Sequence, residues 1–290
     1  MAHTSLRAGG AAPGRRPGDP HRAAAPSADS APLLHVPRHP WESPLLALAV
    51  AVTAAVAAAA VHTLWTGTPP LRWAAAALLA LPPAAWAVRG LAHARQCAHA
   101  VRLSPTQFPD AHRVVREVGA EMGLGAVPDV YVRPGPEPGA RVAGHGPRRC
   151  VVVSSAAFGD GGRLHDPAAL RFLVAHQLGH VRAGHTSPWW RLGTAAAWVV
   201  PGLGSSLARA MEYTADDHAH AHCPEGAHAV RLMAAGRHLY PQVSPGELAE
   251  RARTDRGLFV FLYTLLSPRP ALTRRMAALH DRSRPGRLLL

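Results

Sequence analysis

The chain has 290 residues, with 31 basic against 18 acidic side chains and a formal charge of +13, and is long enough for one globular domain plus additional segments. Every basic residue is arginine, spread along the chain with no aromatic–basic stripe, so the charge reads as the coding bias of a GC-rich bacterial genome, and no nucleic acid is expected as a partner. Cys97, Cys150 and Cys223 are an odd number without C-x-x-C spacing, which argues against a disulfide framework and a Cys-rich zinc site and suits a reducing, cytosol-facing compartment.

Residues 1–42 are rich in Ala, Pro, Gly, Arg and His and lack a hydrophobic period, so a disordered arm is expected there. The first apolar run starts only at Leu45, too late for a cleavable signal peptide. Residues 43–90 read as a transmembrane hairpin. No charge interrupts 43–71, and 45–65 alone makes roughly 30 Å of helix, the thickness of a bilayer core. The second span, 73–88, is alanine-rich, flanked by Trp73 and Trp86 and interrupted by Pro82-Pro83, after a turn at 66–70. Arg38 precedes the hairpin, and Arg89, Arg95 and Arg102 follow it. The positive-inside rule therefore predicts a multi-pass protein of the bacterial cytoplasmic membrane, with both flanks in the cytoplasm and the lipid bilayer as a partner.

The domain over 103–285 reads as α+β and mostly helical, with a small sheet. Val114, Val115, Val118 and Met122 share one face of a helix over 110–122. Strands are expected at 129–133 and 150–154, with a third at 141–143. Asp166-Pro167 is a helix start, an N-cap followed by proline at the first helical position, and that helix should run to about His185. Helical patterns continue to the C-terminus. Residues 192–208 carry no charge, but Pro201, Gly202 and Gly204 make a loop or interfacial segment the expectation rather than a third span.

The helix after Asp166 contains His176-Gln177-Leu178-Gly179-His180. Histidines at i and i+4 project from one face and can reach a single Zn²⁺. With 19 histidines in the chain, roughly one such pair is expected by chance. A second pair, His218 and His222, lies in a His-rich tract that reads as a solvated helix or, alternatively, an accessory metal site. Glu212 on a following helix can complete a His₂Glu set, and Asp216, one turn on, can fix a ligating imidazole from behind.

The stretch around His176 and His180 resembles the active-site helix of HtpX-like and CAAX-prenyl-protease-type zinc metallopeptidases. Arg209-Ala-Met-Glu212-Tyr-Thr-Ala-Asp216 is similar to that family's second motif, and segments near 128–132, 150–155 and 267–279 are also similar. The resemblance covers about 104–281. It implies a zincin-like fold and one Zn²⁺ per chain held by His176, His180 and Glu212, with Asp216 and Arg209 behind the ligands. It also implies peptides or membrane proteins as substrates or bound partners. His185 is not expected to be a ligand.

Three departures stand out. Gln177 occupies the position of the family's general base, Gly139 replaces an asparagine, and Arg269 replaces a histidine. Gln177 makes a weakly active or inactive peptidase scaffold the leading expectation. The alternatives are an active endopeptidase using another base, such as Asp216, Asp217 or Glu225, and a basic membrane-tethered binding protein without metal. A bound peptide is expected beside the 150–154 strand.

Overall fold

The computed structural model describes residues 34–135, 139–145 and 148–289. The chain is mostly helical with a small mixed sheet. The arm expected over 1–42 falls outside the described residues up to position 33. Residues 34–41 are described, and their end is held on the domain. The His39 backbone N–H donates to Thr214 Oγ1 at 3.0 Å, and its ring stacks on Tyr213.

Helices α1 (Glu42–Thr66) and α2 (Pro69–Ala98) form a hairpin, both long and apolar enough to cross a membrane, with mean hydropathies of 2.3 and 1.4. The turn between them depends on Gly67, where a Cβ would lie 2.6 Å from the Thr63 carbonyl oxygen. Trp65 and Trp73 flank this turn, both largely exposed. The second helix runs ten residues past its expected end. It also passes through Pro82 and Pro83, whose missing N–H groups cost two hydrogen bonds in a 30-residue helix without ending it. The added turns carry His93 and Cys97 to Cys150 of the sheet.

The sheet contains β1 (Val101–Arg102), β2 (Asp129–Arg133), β3 (Ala140–His145) and β4 (Arg148–Ser154) in the order β1-β2-β4-β3. The β2–β4 pair is parallel and the other pairs are antiparallel. Since β4 is paired on both sides, an added strand cannot lie against 150–154 as expected; the edge strands are β1 and β3. Val130, Val132, Val151 and Val153 alternate along their strands onto a core shared with α3 (Pro109–Glu121) and α4 (Pro167–Arg182). Short β1 was not expected; two residues are too few to show a period.

Helix α4 starts where the Asp166–Pro167 signal places it. The Asp166 carboxylate accepts the Ala169 N–H at 2.9 Å and, on its other oxygen, bonds from His228 and Tyr240. The helix ends at Arg182, and a turn with Gly184 at φ +79° leads on to His185. Its residues from Phe172 to Gly179 are all buried. Helix α6 (Leu203–His222) crosses α4 at Gly179. A Cβ there would meet His218 Cβ at 2.9 Å and the Ala215 backbone at 3.3 Å, so this glycine permits the close approach of the two helices.

Between them lie α5 (Pro188–Gly193) and a 3₁₀ turn over Ala195–Val199. Neither is a third span. Ala197, Leu203 and Leu207 instead pack with Ala49 of α1, and the Ala196 N–H donates to Thr53 Oγ1 at 3.2 Å. Thr53 stands roughly 16 Å along α1 from Glu42, taking 1.5 Å per residue. Beyond α6 come α7 (Ala229–Leu239), α8 (Pro245–Thr254), α9 (Leu258–Leu266) and α10 (Leu272–His280).

Candidate metal centre

Two successive turns of α4 present His176 and His180, and α6 brings Glu212 against both. The Glu212 carboxylate reaches His176 Nε2 with Oε2 at 3.4 Å and His180 Nε2 with Oε1 at 3.6 Å. The three ligand atoms all lie within 4.8 Å of one another. Tetrahedral Zn²⁺ with bonds of about 2.0–2.2 Å sets its ligand atoms roughly 3.3–3.6 Å apart, and the two carboxylate–imidazole separations fall in that range, one on each Glu212 oxygen. The imidazole planes are nearly perpendicular, at 88°.

Each histidine is also held from behind. His176 Nδ1 lies 2.8 Å from Asp216 Oδ1, and Arg275 of α10 grips the same carboxylate, its Nε 2.8 Å from Oδ2. An ionised Asp216 can only accept, so His176 carries its proton on Nδ1 and turns the Nε2 lone pair toward Glu212.

A longer relay serves His180. Its Nδ1 lies 2.9 Å from His185 Nδ1, and His185 Nε2 lies 3.0 Å from Glu42 Oε1. The Glu42 carboxylate also accepts from Thr214 and Arg38. With Glu42 accepting the His185 Nε2–H, His185 Nδ1 is a lone pair. His180 then donates Nδ1–H to it and offers Nε2 to the metal position. The first residue of α1 is thus linked through His185 to His180 on α4.

Burial alone would raise the Glu212 carboxyl, but the imidazoles of His176 and His180, when protonated, outweigh it and hold Glu212 well below the usual carboxylate range. Burial would likewise raise Asp216, and Arg275 with His176 keeps it low. For His176, burial pulls the pKa down but Asp216 prevails and raises it. Burial wins at His180, which is lowered. Metal binding must displace protons from such imidazoles, so affinity should fall in acid.

Of the residues singled out in the sequence, His176, His180, Glu212 and Asp216 meet. Gln177 follows His176 and is buried. Arg209 is fully buried elsewhere: its guanidinium donates to the backbone carbonyls of Thr264, Ser267 and Leu288, tying α9 and the C-terminal segment to α6. The arginine behind the ligands is Arg275. Glu42, His185 and Arg275 were not assigned these roles from sequence. The one available signal was Glu42, a lone acid opening an uncharged run.

Gly139 and Arg269, both departures from the resembled family, line one groove of about 640 Å³ together with Arg141, Val153, Ser154 and Arg275. The groove borders β3 and reaches the arginine that braces Asp216.

The second pair, His218 and His222, gathers no carboxylate. Among the described residues, the groups able to hold a metal are His176–His180–Glu212 and His93–Cys97–Cys150. No family model, no curated protein and no solved structure matches this chain.

Proposed function

We propose that this chain is a membrane-anchored zinc-peptidase scaffold whose hydrolytic power is weak or absent because Gln177 stands where the general base is needed. The observation that carries this reading is the convergence of His176 Nε2, His180 Nε2 and Glu212 at zinc-like separations, with Asp216 and His185 behind the two imidazoles.

Zn²⁺ held there would supply Lewis-acid chemistry to a peptide carbonyl. The chain itself holds both imidazoles in their metal-accepting tautomer and keeps Glu212 ionised. It also offers an edge strand, β3, beside a groove of about 640 Å³, where strand addition would supply main-chain hydrogen bonds to an extended peptide. Glutamine takes up no proton near neutral pH and returns none, a loss of typically 10²- to 10⁴-fold. Binding a peptide does not need that step. The hairpin would span the cytoplasmic membrane with the domain on the cytoplasmic side, and the exposed Trp198 and Val199 beside α1 would enter the lipid.

The test is Gln177→Glu. The two side chains are nearly isosteric, so zinc content should not change, whereas turnover of an unfolded casein-type substrate should rise at least about 10²-fold and be abolished by a chelator. A natural chain that already cleaves at a zinc-dependent rate, unimproved by glutamate, would mean that another base operates. Loss of zinc binding in the natural chain would remove the reading altogether.

A further inference from the structure

A second constellation lies where α2 meets the sheet. His93 and Cys97 are one turn apart on the same face of α2, and Cys150 of β4 is buried against them. His93 Nδ1 lies 3.6 Å from Cys150 Sγ and 4.0 Å from Cys97 Sγ, to which His93 Nε2 is nearer at 3.7 Å, and three ligand atoms, one from each residue, fall within 4.8 Å of one another. No disulfide joins the three cysteines.

We propose that His93, Cys97 and Cys150 form a second Zn²⁺ site, chemically unlike the first, that fastens the end of the membrane hairpin to the sheet. Zn–S bonds of about 2.3 Å and Zn–N bonds of about 2.0–2.1 Å in tetrahedral geometry put sulfur and nitrogen roughly 3.6 Å apart. One separation already matches, and the other needs a shift of a few tenths of an ångström. A set of two thiolates and an imidazole suits zinc, whereas magnesium and calcium select oxygen.

The surroundings supply what such a site requires. Arg149 and Asp129 line the same cleft, so it is polar around the cluster. Tyr131 of β2 lines the cleft beside Cys97. The cleft, about 760 Å³, admits water to a fourth position. Cys223 gives the contrast within the chain. It is fully buried in the apolar core, away from any such cluster, and burial pushes its thiol up to about 11. That is an inert structural cysteine.

The experiment is a Co²⁺ titration of the full detergent-purified chain. Thiolate ligation gives a near-ultraviolet sulfur-to-cobalt charge-transfer band, which the nitrogen–oxygen set of His176, His180 and Glu212 cannot produce. The outcome is therefore independent of metal at the first centre. Saturating Co²⁺ should develop the band and Zn²⁺ should bleach it. Cys97→Ser and Cys150→Ser should each abolish it, whereas Cys223→Ser should leave it. Alkylation of the natural chain checks the same point without a variant: Zn²⁺ should shield Cys97 and a chelator should expose it. A natural chain without the band at saturating Co²⁺, or a band that survives both serine variants, overturns the proposal.

Discussion

Helices α4 and α6 each carry a pair of histidines four residues apart, and the two pairs have different environments. His176 and His180 face a carboxylate, and each has its Nδ1 engaged by a partner from another element. His218 and His222 stack on each other, 6.3 Å between ring centroids. The Nδ1 of His218 is buried without a hydrogen-bond partner, and that of His222 meets the His218 carbonyl oxygen at 2.9 Å. His218 is pressed against Gly179, and burial lowers its pKa to about 4, so it packs as a neutral ring. Identical spacing therefore yields a group that could hold a metal in one place and a packing contact in the other. What separates them is the set of oriented acceptors that the tertiary fold brings to the first pair.

The largest expected effect breaks the comparison directly. His180→Ala should remove one equivalent of zinc from the purified chain, whereas His220→Ala and His222→Ala should remove none; metal analysis after dialysis reads both. If zinc follows the second pair instead, spacing and not surroundings governs binding here.

A smaller effect sharpens it. Glu42→Ala removes no ligand but leaves His185 without the acceptor that fixes its tautomer. Zinc affinity at the first centre should fall roughly 10- to 100-fold, the usual cost of losing a group that orients a metal-binding histidine. Chelator competition measures it, with helicity by circular dichroism confirming the fold. An unchanged affinity would show that the relay from α1 has no influence on the metal.

Gly179→Ala tests the shared crossing point. The added methyl would push against His218 Cβ at 2.9 Å and so separate α4 from α6, at a cost of about 1–3 kcal/mol for overpacking. A shift of the denaturation midpoint to lower denaturant should accompany weaker zinc binding, since Glu212 moves with α6. Stability lost with zinc affinity intact would place the slack outside the nest.

Much was legible in local chain order. The apolar runs of the hairpin, the Asp166–Pro167 start of α4, the valine alternation of β2, the continuous apolar run of β4 and the paired histidines with Glu212 each depend on residues close in sequence or on a recognisable motif. These features follow from helical and strand periodicity and from capping, which act within a few residues. The edge position of β3 was not legible, because strand order is a choice among pairings that no single strand encodes.

Nor was the company that the ligands keep. Glu42 reaches His185 across 143 positions, Arg275 reaches Asp216 across 59, and His93 reaches Cys150 across 57. The sequence by itself determined which side chains exist on which helical faces. Only the tertiary structure decided which of those faces meet, because a buried charge or imidazole must find its partner wherever folding brings one within about 3 Å, and separation along the chain sets no limit on that choice.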